Sequence, residues 1–295
     1  MRFYASWYYG DPPYQCYDPD CYLLISPTSV SGGWTLRDLA ALPRGVMIDS
    51  GGFRYMSVQR KMPTPRQVFE RQLRILDDVD IPVTLCALDF PMAERGLSSN
   101  DRDRRWTQTL AFAYDFRRLV DMYGLERDID FMAIVQGHDV PTLIACATEL
   151  KTMGFATYGV GSLVGLFDFQ ETIRRVQAVV SVVGCGVHVF GLSSVRTIHV
   201  LGQVGATSVD SSRPVKSAAY NEILYGSPFR RYGILGDDGE PTGIIPKARC
   251  LSGPLACDCP ICQENAADIL RVGDRRYIAR RAIHNYYHFK ACING

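Results

Sequence analysis

Short apolar runs recur along the chain and are separated by segments whose apolar residues follow a helical spacing. In the segment Pro65–Val79, for example, Val68, Leu73, Ile75 and Leu76 lie among charged residues. Such spacing predicts an amphipathic helix. Near-continuous apolar strands that alternate with amphipathic helices are typical of a parallel sheet covered by helices.

The apolar runs predict eight strands. They begin near Arg2, Tyr22, Gly45, Pro82, Phe131, Ala156, Val187 and Ala206. Helices are predicted between most of them, at Thr35–Leu42, Pro65–Val79, Arg102–Tyr123, Val140–Met153, Phe169–Val183 and Val195–Val204. This repetition places the chain in the α/β class and predicts a closed (β/α)8 TIM barrel, with a doubly wound open sheet as the alternative.

The strand–helix alternation stops near residue 226. The following segment is rich in turn-forming residues, and a last helix is predicted from about Arg275 to Cys292. We therefore expect two units. They are a catalytic barrel over residues 1–226 and a small appended subdomain over residues 227–295.

Composition limits the classes of function. The chain has 295 residues, 47% of them hydrophobic, and a formal net charge of +1, so a surface for nucleic acid would have to be local. The start of the chain has no long apolar run typical of a secretion signal. The most apolar segment, Val176–Leu192, is interrupted by two glycines and a histidine, which argues against a membrane span. We expect a cytoplasmic protein without membrane contact.

Five predicted strands end in a polar side chain. Asp49 ends "VMID", Asp89 ends "TLCALD", Gln136 ends "MAIVQ", Ser162 lies in "GVGS" and Asp210 ends "TSVD". An acid after a strand is commonly only a helix cap. In a barrel, however, the carboxyl ends of all strands meet at one face, where active sites lie. The sequence therefore predicts one pocket that holds three acids and an amide.

The motifs "DSGGF", "ALDF", "IVQG", "GVGS", "HVFG" and "VDSS" occur in this order. A C-x-C-x-x-C cluster and a distant His-Asn pair follow them. Together they resemble the guanine transglycosylases, over about Val46 to Asn285. That superfamily exchanges guanine in a nucleic acid for a 7-deazaguanine base, and the resemblance implies its TIM barrel with a zinc-binding C-terminal part.

The resemblance implies two catalytic residues. Asp210 corresponds to the nucleophile that attacks the anomeric carbon of the sugar, and Asp49 corresponds to the general acid/base for the departing and entering bases. The chemistry suits these groups, because a carboxylate stabilises and traps an oxocarbenium-like centre. Two displacements at one carbon retain its configuration and allow one base to replace another.

The resemblance also implies a set of base-binding residues. Asp89 and Gln136 correspond to residues that read the hydrogen-bonding edge of the purine. Ser162 lies where a backbone amide meets the exocyclic oxygen. Phe53 and Phe190 correspond to the positions that sandwich the ring.

Cys257, Cys259 and Cys262 form the C-x-C-x-x-C cluster, and thiolates at this spacing indicate Zn²⁺. The resemblance implies His284, in "AIHNYYHF", as the fourth ligand. His288 and Cys250 are competing candidates. Three thiolates and one imidazole leave no open position, so the expected role of the zinc is structural.

The last helix is locally basic. If it faces a nucleic acid, its arginines are expected to contact the phosphate backbone; the alternative is an ordinary solvated face. The arginines concerned are Arg275, Arg276, Arg280 and Arg281.

Two classes of polymer remain open. The compact sequence and its opening "MRFYASWYYG" resemble the DNA-acting branch found in bacteria and phages, which inserts bases of the preQ0 type. We therefore expect DNA as the partner, with tRNA as the alternative and a homodimer as an open possibility. A non-catalytic accessory paralogue and a zinc-bearing barrel hydrolase that acts on nucleosides are the remaining interpretations.

Overall fold

Eight parallel strands close into a barrel. The computed structural model describes residues 1–57, 61–92, 96–125, 129–163, 166, 168–184, 186–226 and 228–294. The barrel strands are β1 (Arg2–Trp7), β2 (Tyr22–Ile25), β3 (Gly45–Ile48), β4 (Val83–Cys86), β5 (Ile129–Val135), β6 (Thr157–Val160), β7 (Val187–Val189) and β8 (Ala206–Ser211). Neighbours pair in chain order, and β8 pairs with β1. The predicted (β/α)8 TIM barrel is confirmed, and each strand begins within two residues of its predicted start.

Helices follow the barrel strands on the outside. They are α1 (Gly52–Ser57), α2 (Pro65–Leu76), α3 (Ser99–Tyr123), α4 (Val140–Thr152), α5 (Phe169–Val183), α6 (Val195–Gln203) and α7 (Arg213–Ala219). Local sequence fixes the start of α2, where Thr64 and Gln67 form a reciprocal capping box and Pro65 occupies the first turn.

The helix predicted at Thr35–Leu42 is wrong in its length. Only Leu36–Asp38 is helical there, as a single 3-10 turn capped by Thr35. Leu39 already has an extended backbone, and Pro43 follows shortly after. Because Leu36 is the only buried residue of that turn, there is little apolar surface to stabilise a longer helix.

The strands separate two layers of apolar packing. Residues such as Phe3 and Ala5 belong to the main core between the strands and the helices. Tyr4, which lies between them on β1, belongs to a smaller cluster with side chains from four neighbouring strands. This alternation follows from the two-residue period of a strand and fills the barrel interior below the carboxyl-terminal rim.

A second, three-stranded sheet follows the barrel. It contains β9 (Glu222–Gly226), β10 (Phe229–Ile234) and β11 (Cys250–Leu251), and the helices α8 (Pro260–Asn265) and α9 (Arg275–Asn294) complete the chain. The boundary predicted after residue 226 falls between β9 and β10, which pair antiparallel. The division into a barrel and a separate subdomain stays a prediction.

Arg281 corrects one sequence-based expectation. It was expected to contact a nucleic-acid backbone, but its side chain is completely buried. Its guanidinium donates hydrogen bonds to the carbonyl oxygens of Ile269 (2.8 Å), Ala218 (2.6 Å) and Arg271 (2.5 Å). Burial lowers the pKa of Arg281 to about 10. The residue therefore joins α9 to the end of α7 and cannot reach a phosphate.

We expect Arg281→Ala to destabilise the protein strongly. The substitution leaves several buried carbonyl oxygens without donors, each at a cost of about 1–3 kcal/mol, so the free energy of unfolding should fall by about 3 kcal/mol or more. The neighbouring Arg280→Ala is the matched control. Arg280 forms ion pairs with Glu264 (2.8 Å) and Asp268 (2.9 Å) near the surface, worth about 1 kcal/mol or less. Urea denaturation measures both; equal losses would contradict the assignment.

Candidate active site

One cavity at the carboxyl-terminal rim of the barrel gathers the predicted site residues. It has a volume of about 430 Å³. All seven residues that the resemblance assigns to catalysis or base binding line it, namely Asp49, Phe53, Asp89, Gln136, Ser162, Phe190 and Asp210. Their convergence follows from parallel strands that end at the same face. The sequence alone could not give the size of this space, which suits a small ring compound.

Asp49 lies at the turn between β3 and α1. Its carboxylate accepts a hydrogen bond from the N–H of Gly51 at 3.1 Å. From outside the barrel, the buried amide of Gln72 donates to the carbonyl oxygens of Ile48 (3.0 Å) and Asp49 (3.2 Å) and holds this turn in place. A side chain at Gly52 would come within 2.8 Å of the Asp89 carbonyl oxygen. Glycine therefore allows the Asp49 turn and the Asp89 loop to pack directly together.

A chain of hydrogen bonds orients the amide of Gln136. The N–H of Met92 donates to the Ser162 hydroxyl at 2.6 Å, and that hydroxyl donates to Gln136 Oε1. Gln136 Nε2 then donates to Asp89 Oδ2 at 2.5 Å, and Ser50 donates to the other oxygen of Asp89 at 3.3 Å. The direction of the amide is thus fixed, with its nitrogen toward Asp89.

Backbone features support this chain. Ser162 has a positive φ of 59°, which is uncommon for a residue with a side chain. The preceding Gly161 has no room for a side chain, because a Cβ there would overlap Gln136 Nε2. The motif "GVGS" therefore brings the backbone against Gln136 and places the hydroxyl of Ser162 beside the amide oxygen.

Asp210 is held by three donors. Its Oδ1 accepts from the N–H of Gly191 at 2.8 Å and lies 3.4 Å from His188 Nε2, while its Oδ2 accepts from the Ser6 hydroxyl at 2.8 Å. The other nitrogen of His188 lies 2.9 Å from the Ser208 hydroxyl. With Ser208 donating to Nδ1, the proton of His188 is on Nε2 and points at Asp210. These donors stabilise a carboxylate and leave Oδ2 with the most free lone-pair capacity.

Sequence reasoning missed Ser6 and His188 as parts of the site. His188 stands in the motif "HVFG" on β7 and Ser6 lies in β1, and each residue reaches Asp210 from a strand beside β8. The only sequence signal was a polar residue within an otherwise apolar strand. Both side chains are buried in the structure, so each must have a polar partner.

Four aromatic residues line the cavity, and the two assigned to base binding lie at different depths. Phe190 packs on the inner cluster of the barrel, and its ring centroid lies 4.4 Å from that of His188. Phe53, at the start of α1, is 59% exposed and lies at the opening. Phe190 therefore belongs to the floor of the cavity and Phe53 to its rim.

Two acids of the cavity have raised pKa values. Burial raises the pKa of Asp89 to about 7, although the hydrogen bond from Gln136 lowers it. Burial also raises the pKa of Asp49, against the stabilising N–H groups of Gly51 and Ser50, and the charge of Asp210 raises it further. Acids with raised pKa values in a cavity are suited to proton transfer near neutral pH.

A second group of side chains matches a metal centre. Cys257, Cys259, Cys262 and His284 present ligand atoms that all lie within 4.8 Å of one another. His284 Nδ1 is 3.7, 3.3 and 3.4 Å from the three sulfur atoms in that order. A tetrahedral Zn²⁺ with ordinary bond lengths separates sulfur and nitrogen by about 3.6 Å, so the residues fit a structural zinc.

The orientation of His284 supports the same conclusion. Its Nε2 lies 3.0 Å from the carbonyl oxygen of Leu224 and donates its proton there, which leaves the lone pair of Nδ1 for the metal. The adjacent Asn285 accepts from the N–H of Leu224 at 2.8 Å and donates to the Glu222 carbonyl at 3.0 Å. The His-Asn pair therefore fixes both the metal ligand and strand β9.

The two competing ligands lie in other positions. Cys250 is directed at the carbonyl oxygens of Ile245 and Pro246. His288 Nδ1 accepts from the N–H of Gly226 at 3.1 Å, so its proton is on Nε2, 3.1 Å from Cys257 Sγ. His288 therefore donates to a ligand of the metal and offers it no lone pair.

Only part of the predicted basic face remains available. Arg275 and Arg276 are exposed, but neither lines the cavity. Arg276 donates to the Tyr277 hydroxyl at 2.7 Å. Arg280 is paired with acids, and Arg281 is buried.

Comparison with known proteins agrees with this geometry. Residues 27–295 match the protein family described as queuine tRNA-ribosyltransferase. The chain belongs to this family. Membership supports a glycosyltransferase of the guanine transglycosylase type, acting on a nucleic acid with a guanine-like base. No curated protein matches the chain. Within the described residues, no helix is long and apolar enough to cross a membrane.

We expect freshly purified protein to contain one zinc ion per chain. Cys259→Ala and His284→Ala should abolish zinc binding, because each removes one of four ligands, and should loosen the region after β8 more than the barrel. His288→Phe is the matched control, since it removes only a donor to Cys257, and should retain zinc with faster loss to a chelator. Metal analysis by mass spectrometry measures the content. Zinc-free wild-type protein, or zinc lost from His288→Phe but kept by His284→Ala, would contradict the ligand set.

We expect free guanine to bind more tightly as pH rises through about 7. A base whose N–H groups donate to Asp89 needs the ionised carboxylate, so affinity should fall about tenfold for each pH unit below about 7. Burial raises the pKa of Asp89 from 3.8 to about 7, so the folded state loses stability as pH rises between those two values. A ligand that donates hydrogen bonds to the ionised carboxylate offsets that loss. Calorimetric titration across about pH 5 to 8 measures the profile. Asp89→Asn should remove the midpoint, whereas Asp49→Asn should keep a midpoint at somewhat lower pH, because the charge of Asp49 helps to raise the pKa of Asp89. A flat wild-type profile would refute the assignment.

Proposed function

We propose that this protein exchanges guanine in a polynucleotide for a 7-deazaguanine base such as preQ0. The exchange would proceed by double displacement through a covalent Asp210–sugar intermediate. The observation that carries the proposal is the common cavity, in which three acids and an oriented amide surround a space bordered by aromatic rings. Family membership supports the same general class.

The roles follow from the contacts of each acid. Asp210 accepts hydrogen bonds from three donors, which hold its carboxylate in position to attack the sugar. Asp49 has a raised pKa, so it can hold a proton for the departing base and later accept one from the entering base. Like-charge repulsion between the two helps to keep them in different protonation states.

Asp89 and Gln136 are the proposed readers of the base. A guanine edge carries N–H donors beside a carbonyl acceptor, which an aspartate and an amide complement. Because Ser162 and Asp89 fix the direction of the Gln136 amide, a base with the reverse donor pattern would leave buried polar groups unpaired. Phe190 would support one face of the ring from below and Phe53 would cover it from the opening.

The zinc has a structural role in this proposal. The three thiolates and His284 would hold Zn²⁺ without an open coordination position, so it supplies folding energy to the region after the barrel. His284 and Asn285 tie that region to β9.

Two polymers are candidates for the substrate. The resemblance of the segment "MRFYASWYYG" to the DNA-acting branch favours DNA, which is the polymer we propose. The description of the family favours tRNA as the second candidate. A duplex would have to release the target nucleotide from its stack before a base could enter so small a cavity.

One assay tests the function and the polymer together. Labelled guanine or preQ0 is offered with duplex DNA, single-stranded DNA and tRNA, and label in each polymer is measured. We expect label in DNA. Label in tRNA alone would transfer the protein to the tRNA-acting enzymes and keep the chemistry; label in none of the polymers, with zinc present, would favour a non-catalytic accessory paralogue or a hydrolase.

We expect Asp210→Asn to reduce base exchange by at least about 10³-fold, or about 4 kcal/mol of barrier, because an amide is a poor nucleophile. Asp49→Asn should slow exchange while binding of free base persists. The control is Asp115→Asn, an exposed acid of α3 that lies outside the cavity, which should leave exchange unchanged. Initial rates with the labelled polymer measure all three. An Asp210→Asn variant that exchanges bases at the wild-type rate would disprove the role.

A further inference from the structure

A larger groove opens beside the active-site cavity. It has a volume of about 1320 Å³, about three times that of the cavity, and lies between α6, the β9–β10 hairpin and the second half of α9. Ser193 and Arg213 line both spaces, so the groove continues directly from the cavity. A polymer attached to a group bound in the cavity can therefore extend into this groove.

The charges of the groove are mostly positive. Arg196, Arg213 and Arg230 line it, against one carboxylate, Asp258. In the described part of the chain, neither Arg196 nor Arg230 forms an ion pair with an acid. The guanidinium of Arg196 instead lies over the ring of Phe169, 4.9 Å from its centre. Unpaired arginines on a concave surface are suited to phosphate groups.

The groove also presents aromatic rings. Phe229, Tyr232 and Tyr287 line it together with the arginines. Aromatic side chains stack on the faces of bases only when those bases are free of a double helix. Cationic groups interleaved with aromatic rings are therefore the surface expected for a single strand.

We infer that this groove binds a single-stranded stretch of polynucleotide that flanks the target nucleotide. The inference rests on the proposed function, because the groove matters only if a nucleotide of the strand enters the cavity. Arg213, at the junction, would meet the phosphate next to the target, and Arg196 and Arg230 would meet phosphates further along. The surface expected from sequence, at Arg275 and Arg276 on the first turn of α9, lines neither space.

The two locations are compared by removing the same charge from each. One double variant is Arg196→Ala with Arg230→Ala, and the other is Arg275→Ala with Arg276→Ala. Binding of a fluorescent single-stranded oligonucleotide, as DNA and as RNA of the same sequence, is measured against salt concentration. The salt slope is the slope of the logarithm of the binding constant against the logarithm of the salt concentration. Each arginine that neutralises a phosphate of a single strand adds about 0.7 to its magnitude. The slope of the groove variant should therefore fall by about 1.4, and the α9 variant should keep the wild-type slope.

Further readouts separate this inference from the proposed function. Both variants should retain zinc, the wild-type melting temperature and the affinity for free guanine, because phosphate contacts position a strand without specifying a base. A wild-type slope in the groove variant, or a reduced slope in the α9 variant alone, would contradict the groove as the strand-binding surface. Base exchange by the wild-type protein would still support the proposed function in that case. A wild-type protein that neither binds the oligonucleotides nor exchanges bases would overturn both.

Discussion

The gathering of three carboxyl groups around one small cavity, two of them buried, is the constraint on which the rest of the site depends. Such groups cannot all be ionised at low cost, so each needs its own environment. Asp210 accepts three hydrogen bonds. Asp89 accepts hydrogen bonds from the side chains of Gln136 and Ser50, and Asp49 accepts mainly from backbone N–H groups. The pKa values of Asp49 and Asp89 are both raised by burial, while Asp210 differs from them in its set of hydrogen-bond donors.

The barrel supplies these environments by bringing distant strands together. Ser6 from β1 and His188 from β7 both reach Asp210 on β8, which lies between those strands in the sheet. Gln136 at the end of β5 reaches Asp89 after β4 in the same way. Asp210 and Asp89 are therefore positioned by residues from neighbouring strands, and closure of the sheet determines which strands those are.

The region after β8 extends the site outward. Helix α9 contributes a metal ligand through His284, a brace for β9 through Asn285 and a buried anchor through Arg281. Its second half also forms one wall of the groove beside the cavity. A zinc ion bound here would hold this wall of the groove against the barrel. That structural role needs no open coordination position on the metal.

Much of this arrangement could be predicted from sequence, and the failures have physical causes. Apolar runs predicted all eight strands, and polar residues at their ends predicted which side chains meet. The partners of Asp210 could not be predicted, because the predicted barrel gives the neighbouring strands but not the register that places Ser6 and His188 beside Asp210. Arg280 and Arg281 are adjacent and chemically identical, yet only the rotation of α9 decides that one is paired near the surface and the other is buried. The cationic groove depends on the packing of three separate elements.

Peptide mapping of a trapped intermediate tests the central claim most directly. The protein is denatured during turnover with a guanine-containing polynucleotide and digested with protease and nuclease, and its peptides are analysed by mass spectrometry. The account predicts a nucleotide linked to the peptide that contains Asp210, with fragmentation placing it on that carboxylate and no adduct in Asp210→Asn. A nucleotide attached to Asp49 or Asp89, or continuing base exchange without any adduct, would contradict it.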